Sequence, residues 1–492
     1  MSESIRTLTL VHTNDIHSHF EEACRVTGFV KRMREKVPAD SLLLLDCGDF
    51  LDRARMETEG TEGAANRALL DYMGYDAAAM GNNEGLSYTK EQLAGLFADA
   101  PCPVLCANLV DADTGAPPEW MKPYTIVDRA GIRIALLGLT APYESFYELL
   151  GWKTADPLET ARRYVPELKR QADLVVILSH LGIRQDELMA TSIEGIGLIL
   201  GAHTHHLLEA PLRFGETVVC AAGKFARHVG VVTIRKELRS GRLTIEGGAG
   251  PTDNCPTDPL AEQLVGEYRK RSEAAMSGTV ATLREPLELS WEQESPLGTL
   301  LAATVRKATG ARIGLVNSGQ LLRGFPVGAV TRLDLHSACP SPINACRILL
   351  SGAHIREALE ESLLPEFIGF EFHGFGFRGD RLGTLSVDGI EWTVDETKPP
   401  RERVVSAFVG GEPLADEAEY EVGTLDMFTF GIGYLSLKEG RVEKYYLPEF
   451  LRDLLVPALR DEAMLRDCRR PRRLRASVQE GSWDGATLRR ND

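Results

Sequence analysis

The sequence predicts an α/β domain followed by an α+β domain, and two observations lead to that prediction. In the first half of the chain, near-continuous apolar runs alternate with amphipathic segments of helical period, which is the pattern of parallel strands covered by helices. A stretch rich in glycine and proline at residues 247–259 then interrupts this pattern. We therefore expect a first domain at residues 1–250, a linker helix at 251–277, a second domain at 278–476 and a disordered tail at 477–492.

Five apolar runs of the first domain each lead into a polar motif. The runs at 5–11, 42–45, 77–80, 174–178 and 196–200 precede His12-Thr13-Asn14-Asp15-Ile16-His17, Asp46-Cys47-Gly48-Asp49, Gly81-Asn82-Asn83-Glu84, Ser179-His180 and Gly201-Ala202-His203-Thr204-His205-His206. A single Asp behind a strand is usually a helix cap or a turn former. Because parallel strands place ligands beyond their carboxyl ends, the repetition favours one common site. Its predicted members are Asp15, His17, Asp49, Asn82, His180, His203 and His205.

The donor types of this set indicate a divalent metal centre. Imidazole mixed with carboxylate and amide oxygens suits Mn, Zn or Fe better than Ca, and a carboxylate such as Asp49 can bridge two ions. Two ions about 3.5–4 Å apart stabilise both oxygens of an in-line phosphoryl displacement and generate a hydroxide near neutral pH. The set therefore predicts two divalent metal ions (Mn, Zn or Fe) and a phosphoryl-transfer reaction.

These motifs resemble those of the calcineurin-like metallophosphoesterases, in the form carried by the 5′-nucleotidase / UDP-sugar hydrolase / 2′,3′-cyclic phosphodiesterase family. The resemblance covers most of the chain and is strongest up to residue 231. It implies a four-layer α/β/β/α sandwich for the first domain, with strands at 217–222 and 229–234 in the second sheet. It also implies that the linker helix leads into a 5′-nucleotidase-type α+β domain that determines substrate specificity.

The resemblance assigns the ligands to two ions. One ion is expected on Asp15, His17, Asp49 and His205, and the other on Asp49, Asn82, His180 and His203. The implied activity is hydrolysis of nucleotide phosphoesters by a hydroxide that bridges the ions. The implied substrate is a small-molecule phosphate ester, with a nucleotide as the leading expectation.

Two departures from the family pattern concern catalysis. Where the family carries a His and, three residues later, an Asp, this chain has Asn83 and Leu86. An amide can hydrogen-bond phosphate, but it cannot supply a proton near neutral pH. We therefore expect Asn82 and Asn83 to contact the phosphoryl group, with Glu84 as a local candidate for the missing catalytic group. His19 and His206 are further candidates.

The departures leave three hypotheses open. The first is a 5′-nucleotidase-like phosphohydrolase. The second is the same chemistry on a substrate whose leaving group needs less protonation, as in a 2′,3′-cyclic phosphodiesterase or a nucleotide pyrophosphohydrolase. The third is a non-catalytic protein that binds metal and nucleotide without turnover.

By resemblance, the second domain carries the residues that bind the substrate. Asn317 is retained, whereas Arg323 comes one residue later than in the family pattern. Phe375 or Phe377 is expected to form one face of an aromatic clamp for a nucleobase. Phe430 begins the loop in which Ile432 replaces a family Asp that holds ribose hydroxyls, so the resemblance supports the reaction class better than the substrate.

Composition narrows the set of partners. A formal net charge of −16 argues against a nucleic-acid partner, and no apolar run approaches the roughly 20 residues that span a membrane. The polar residues 1–6 lead directly into the first strand, so no signal peptide is expected. Nine scattered cysteines fit a reducing compartment. We therefore expect a cytoplasmic protein without nucleic-acid or membrane partners, and the oligomeric state stays open.

Overall fold

The computed structural model describes residues 5–476, and the chain divides into two compact units. The first unit comprises the residues up to Val280 together with Val330–Pro342 and Leu447–Phe450. The second comprises Ala281–Ala329, Ile343–Tyr446 and the residues from Leu451 onward. The tail predicted to be disordered, 477–492, lies outside the described residues. No helix in the described range is long and apolar enough to cross a membrane.

Two sheets form the centre of the first unit. Its strands are β1 (Ile5–Thr13), β2 (Leu42–Asp46), β3 (Ala77–Ala79), β4 (Val104–Leu105), β5 (Leu109–Asp111), β6 (Met121–Lys122), β7 (Tyr124–Arg129), β8 (Ile132–Thr140), β9 (Trp152–Thr154), β10 (Leu174–His180), β11 (Leu198–Gly201), β12 (Leu212–Phe214), β13 (Thr217–Ala221), β14 (His228–Glu237) and β15 (Leu243–Pro251). The first sheet has the order β15-β14-β1-β2-β3-β4-β6 and the second β12-β13-β11-β10-β8-β7, while β5 pairs with β9. The strands that lead into polar motifs are parallel to one another within each sheet: β1, β2 and β3 in the first, and β10 and β11 in the second.

Helices cover the outer faces of both sheets. They are α1 (Phe20–Lys36), α2 (Met56–Gly60), α3 (Ala64–Met73), α4 (Asn82–Ser87), α5 (Lys90–Phe97), α6 (Glu144–Leu149), α7 (Pro157–Gln171), α8 (Ile183–Ser192) and α9 (Pro259–Met276). One apolar core lies between the two sheets, a second lies under α1, α3 and α5, and a third lies under α7 and α8. The structure therefore confirms the predicted α/β/β/α sandwich.

The prediction that the strands near 217–222 and 229–234 share the second sheet is wrong for the later strand. β13 pairs with β11 in the second sheet, but β14 pairs antiparallel with β1 in the first, where His12 lies opposite Gly230. A Cβ on Gly230 would lie 1.8 Å from Nε2 of His12. The glycine therefore makes room for the buried imidazole and permits this pairing.

Helix α9, which was predicted as a linker, packs against helices of the first unit. Asp258 caps it by accepting a hydrogen bond from the N–H of Leu260 (2.9 Å), and Pro259 occupies its first turn. The helix contacts α1, α2 and α3. Its Arg269 donates to the buried carboxylate of Glu57 and to Glu21, both at 2.7 Å. These contacts fix the helix to the sandwich.

The second unit has α+β architecture. The remaining strands are β16 (Thr279–Leu283), β17 (Ile313–Asn317), β18 (Gly328–Thr331), β19 (Asn344–Ser351), β20 (Leu385–Asp388), β21 (Glu391–Val394), β22 (Val404–Val409), β23 (Glu412–Pro413), β24 (Glu419–Leu425), β25 (Arg441–Phe450) and β26 (Arg473–Arg475). The remaining helices are α10 (Pro296–Thr309), α11 (Arg332–Ala338), α12 (Gly352–Glu361), α13 (Pro365–Ile368), α14 (Asp426–Thr429), α15 (Leu451–Ala458) and α16 (Glu462–Asp467). Of these, α11 belongs to the first unit. The sheets of this unit have the orders β20-β17-β24-β19-β25 and β23-β22-β21-β26.

Candidate metal centre

The five polar motifs meet at the carboxyl ends of the strands that carry them. Asp15, His17, Asp49 and Asn82 follow strands of the first sheet, whereas His180, His203 and His205 end or follow strands of the second. The structure brings all seven predicted ligands together. Two buried carboxylates, Asp15 and Asp49, lie at the centre of the set.

The donor atoms form two overlapping groups. In the first, Nε2 of His17 and Nε2 of His205 lie 3.7 and 3.6 Å from Oδ1 of Asp15. In the second, Nε2 of His180 lies 3.3 Å from Oδ2 of Asp49 and 4.0 Å from Oδ1 of Asp15. Within each group the donor atoms all lie within 4.8 Å of one another. This spacing and the mixture of nitrogen and oxygen donors fit divalent metal ions.

Asn82 and His203 lie beside the second group. The Oδ1 atom of Asn82 lies 3.2 Å from Nε2 of His180. The ring of His203 lies with its centroid 5.2 Å from that of His180, and its backbone N–H donates to the Asp15 carboxylate. Asp49 lies between the groups, because its Oδ2 is also 3.8 Å from Nε2 of His17.

The ligand loops have an unusual backbone conformation. Asp15, His17, Asp49, His203 and His205 have φ angles between 47° and 72°, the left-handed region that residues with a Cβ seldom adopt. Such strained residues persist only where the surrounding structure fixes them, and they concentrate at functional sites. The strand-end pattern did not predict this strain.

Two glycines allow the ligand loops to approach each other. Gly48 has a φ of 93°, and a Cβ there would lie 2.6 Å from the backbone nitrogen of Gly81 and 2.9 Å from Nδ1 of His180. A Cβ on Gly81 would lie 2.1 Å from Oδ1 of Asp49. A larger residue at either position would clash with these atoms, so both positions require glycine.

The electrostatics separate charged from neutral ligands. Burial alone would raise the pKa of Asp49, but His180 and His17 outweigh burial and hold that pKa well below its usual range. Burial alone would lower the pKa of His180, but Asp49 and Asp15 raise it to about 10. Burial lowers the pKa of His203 to about 4 and that of His205 to about 3. The latter two are neutral at pH 7, which is the form that binds metal.

Comparisons with known proteins agree with this geometry. Residues 8–207 match the family model described as calcineurin-like phosphoesterase, and residues 277–436 match the 5′-nucleotidase C-terminal domain. The chain is 35% identical to the uncharacterized metallophosphoesterase YunD of Bacillus subtilis, over 92% of this chain and 99% of that protein. The chain belongs to the metallophosphoesterase family. Members of this family are phosphoric ester hydrolases that use divalent metal ions, and the Asp/His cluster fits that chemistry.

Two further matches cover most of this metallophosphoesterase. A 5′-nucleotidase of Vibrio cholerae is 32% identical, over 84% of this chain and 83% of that protein. The crystal structure of a 5′-nucleotidase precursor from Thermus thermophilus matches with a TM-score of 0.59 and 26% identity, over 92% of this chain and 96% of that one. Both matches extend through the two units.

In this metallophosphoesterase, Asn83 contacts a ligand side chain. Its amide nitrogen lies 3.0 Å from Nδ1 of His17 and donates to the carbonyl of Leu51 at 3.2 Å. Its Oδ1 lies 3.3 Å from the amide nitrogen of Asn82. The predicted phosphoryl contact of Asn83 stays a prediction, because these contacts already engage both ends of its amide. Asp52, which sequence analysis missed, also approaches Nδ1 of His17, with Oδ2 at 3.5 Å.

The structure places Glu84 beside the ligand loops. Its carboxylate is 4% exposed and accepts hydrogen bonds from the backbone N–H groups of Leu51 (2.9 Å), Gly81 (2.9 Å) and Asp49 (3.1 Å). Burial, followed by the charge of Asp49, raises its pKa to about 7. These hydrogen bonds hold the Asp49 loop in place, and the catalytic role suggested for Glu84 stays a prediction.

The two histidine candidates lie near the ligands but have other partners. The His19 ring stacks on Phe225 with centroids 3.9 Å apart, and burial lowers its pKa to about 4. His19 is therefore neutral at pH 7 and has no proton to supply as an acid. The Nδ1 atom of His206 lies 2.9 Å from the hydroxyl of Thr204.

Of the predicted substrate residues, all of which lie in the second unit, some are buried and others are exposed. Asn317 is fully buried, donates to the carbonyl of Leu382 (2.8 Å) and accepts from Gln320 (3.0 Å). Phe377 is 3% exposed and stacks on Phe372 with centroids 4.3 Å apart. The amide of Asn317 and the ring of Phe377 thus have partners within the unit, and substrate contact by either residue stays a prediction.

The exposed set contains an aromatic pair. Phe375 and Phe430 are 49% and 39% exposed, and their rings stack with centroids 5.8 Å apart. Arg323 is exposed. Accessible parallel rings offer faces on which a planar group can stack.

Proposed function

We propose that this metallophosphoesterase hydrolyses nucleotide phosphoesters in the manner of a 5′-nucleotidase and that it uses two divalent ions. The proposal of two ions rests on one observation: the donor atoms form two groups that share Asp15, with Asp49 between them. A single ion has no use for seven converging donors, since a catalytic site keeps a position open for substrate. The similarity to a 5′-nucleotidase of Vibrio cholerae, over 84% of this chain and 83% of that protein, supports the reaction.

The residues of the chain have separable roles in this proposal. Bound divalent ions supply Lewis-acid stabilisation of phosphoryl oxygens and lower the pKa of water. Asp15 and Asp49 provide the shared negative charge, and the strained loops keep both carboxylates preorganised. The amide nitrogen of Asn82 remains available for a phosphoryl oxygen once its weak 3.3 Å contact with Asn83 is broken.

The aromatic pair supports a nucleotide as substrate. Stacking of a nucleobase on an aromatic ring contributes about 1–3 kcal/mol and depends little on base identity. Ile432 offers no hydrogen-bond partner to a ribose hydroxyl, so discrimination between ribose and deoxyribose should be weak.

The departures at residues 83 and 86 support a second candidate substrate. Leu86 packs against the apolar core of the first unit, and the amide of Asn83 contacts His17. Neither supplies a proton to a leaving group, a contribution typically worth about 10²–10⁴-fold. A cyclic diester or a phosphoanhydride, whose leaving group needs less protonation, therefore stays a candidate.

The test is Mn²⁺-dependent phosphate release from AMP, ADP, 2′,3′-cyclic AMP and 4-nitrophenyl phosphate; a phosphomonoesterase added in excess reports cleavage of the cyclic diester. We expect release from AMP, and we expect Asp49→Ala to lower kcat/KM by about 10³-fold, as the loss of a group that stabilises the transition state does. Asp128→Ala, which removes a mostly exposed carboxylate far along the second sheet, is the matched control and should leave activity unchanged.

The outcomes separate the candidates. Cleavage of ADP, the cyclic diester or the nitrophenyl ester without cleavage of AMP would favour the second candidate. Metal and AMP binding without release from any substrate would favour a binding protein. Full activity in Asp49→Ala would contradict the proposed centre.

We also propose that the reaction takes place in the cytoplasm and serves nucleotide breakdown. The nine cysteines all lie in the described part of the chain, where no disulfide joins them, and eight of them are buried. Fractionation of source cells with an antibody against the chain would test the location, and a secreted or membrane-associated pool would contradict it.

A further inference from the structure

His203 differs in orientation from the other three histidine ligands. His17, His180 and His205 each turn Nε2 towards the carboxylate of Asp15 or Asp49, at 3.3–3.8 Å. The Nε2 atom of His203 instead lies 3.3 Å from the hydroxyl of Tyr143. The two rings meet edge to face, with centroids 6.0 Å apart.

This orientation decides which nitrogen of His203 is available to a metal ion. A neutral imidazole has one protonated nitrogen and one lone pair, and the partner of one nitrogen sets the state of the other. If Nε2–H donates to the Tyr143 hydroxyl, the lone pair lies on Nδ1. The backbone N–H of His203 donates to Asp15 at 3.0 and 3.2 Å and holds the residue at a φ of 72°. His203 is therefore held at both its backbone and its ring.

Packing between two helices brings Tyr143 to this position. Tyr143 precedes the first residue of α6, and α6 packs against α4, which begins at the ligand Asn82. At Gly85 of α4, a Cβ would lie 2.6–2.7 Å from the ring and hydroxyl of Tyr147 on α6. The absence of a side chain at Gly85 therefore lets the two helices approach and carries Tyr143 to His203.

We propose that Tyr143 is a positioning residue that fixes the tautomer of His203, so that His203 binds its ion through Nδ1. This inference rests on the proposed metal-dependent function. Residues that hydrogen-bond a metal-ligating histidine typically change metal affinity by about 10–100-fold when they are removed. Tyr143 does not touch the substrate in this proposal, so its loss acts through metal binding.

The first experiment measures the tautomer in the metal-free wild-type protein. Long-range ¹H–¹⁵N spectra of protein labelled at histidine distinguish Nε2–H from Nδ1–H, and His203→Gln assigns the signal. We expect the Nε2–H tautomer in the wild type. An Nδ1–H tautomer would overturn the proposal, and this measurement requires no variant of Tyr143 to fold.

The second experiment measures Mn²⁺ binding to the full chain by calorimetry. We expect Tyr143→Phe to weaken one Mn²⁺ site by about 10–100-fold and to leave kcat close to the wild-type value at saturating Mn²⁺. The matched control is Tyr164→Phe, which removes the hydroxyl of a half-buried tyrosine whose ring meets that of Tyr124 edge to face in the same unit. Unchanged Mn²⁺ affinity in a folded Tyr143→Phe protein would overturn the proposal.

The result also separates this inference from the proposed reaction. Loss of Mn²⁺ affinity in Tyr143→Phe, together with a wild type that hydrolyses none of the tested esters, would support the role of Tyr143 and contradict the reaction. A lower kcat that persists at saturating Mn²⁺, with unchanged Mn²⁺ affinity, would contradict positioning and indicate direct contact with substrate.

Discussion

The metal-binding edge of the first unit and the aromatic pair of the second unit are fixed in different ways. At the metal-binding edge, backbone groups hold the ligands. Glu84 accepts three N–H groups from the two loops that precede it, and His203 donates its N–H to Asp15. In the second unit, Phe375 and Phe430 lie on loops and contact each other through their exposed rings. The comparison teaches that sheet topology determines where the candidate metal ligands meet, whereas the position of the aromatic pair depends on loop sequence.

The largest expected effect is a change of stability with pH. It is expected from a buried acid of the second unit, which lies outside the metal centre. Asp426 is buried and accepts the N–H of Asn344 at 3.1 Å, and burial raises its pKa to about 7. The unfolded value is about 3.9, so the folded state binds this proton more tightly. The resulting stability is fully present below about pH 4 and is lost as pH rises through about 7.

Asp426→Asn should remove this pH dependence. Between pH 4 and pH 8 the free energy of unfolding of the wild type, relative to the variant, should fall by at most about 4 kcal/mol. Urea unfolding at several pH values measures it, with the exposed Glu366→Gln of the same unit as control. A parallel pH profile in wild type and Asp426→Asn would show that Asp426 is ionised in the folded protein throughout.

A smaller effect is expected at Glu84, whose role is to hold the Asp49 loop. In Glu84→Gln an amide N–H₂ group would face a backbone N–H in place of an accepting oxygen, so the loop loses at least one hydrogen bond. We expect metal affinity to fall by about 10–100-fold, as for other residues that support a metal ligand. Titration with Mn²⁺ measures the change, and Glu144→Gln on the exposed start of α6 is the control. Full metal binding with lost turnover would instead support the catalytic role of Glu84 that the sequence suggests.

The smallest effect is expected at the aromatic pair, because loop contacts contribute to substrate binding alone. Phe375→Ala should raise KM for AMP roughly tenfold, within the stacking energy of one ring, and should leave kcat for 4-nitrophenyl phosphate unchanged. The control is Phe370→Ala, which truncates another exposed ring that stacks on Phe372. Equal KM values in both variants and the wild type would remove the pair from the substrate site.

The sequence was sufficient to predict that the seven candidate ligands converge, because the signal that marks each of them is local. An apolar run followed by Asp, Asn or His marks a strand end, and parallel strands bring such ends together. The same logic could not predict that Asp15 and His17 adopt left-handed backbone, since nothing in an Asp or His residue type requires it. It also could not find Asp52 or Tyr143, whose contacts depend on the path of a loop and on the packing of α6.

Two other features depend on contacts between residues that are far apart in the chain. Phe375 and Phe377 are two residues apart in one glycine-rich turn, yet Phe377 packs on its near neighbour Phe372 whereas Phe375 packs on the distant Phe430. The placement of β14, which the sequence predicted wrongly, depended on the match between Gly230 and the buried ring of His12. No periodicity in the sequence records the contact of Phe375 with Phe430 or that of Gly230 with His12.

The crowding at Gly48 and Gly81 has a consequence for anyone who maps this enzyme by saturation mutagenesis. Neither glycine has a functional group, yet an added methyl at either position would meet atoms of the Gly81 backbone, His180 or Asp49. In a library selected for phosphatase activity, both positions should be as intolerant as the metal ligands themselves. A residue can thus be indispensable to a reaction solely through the volume that it leaves empty.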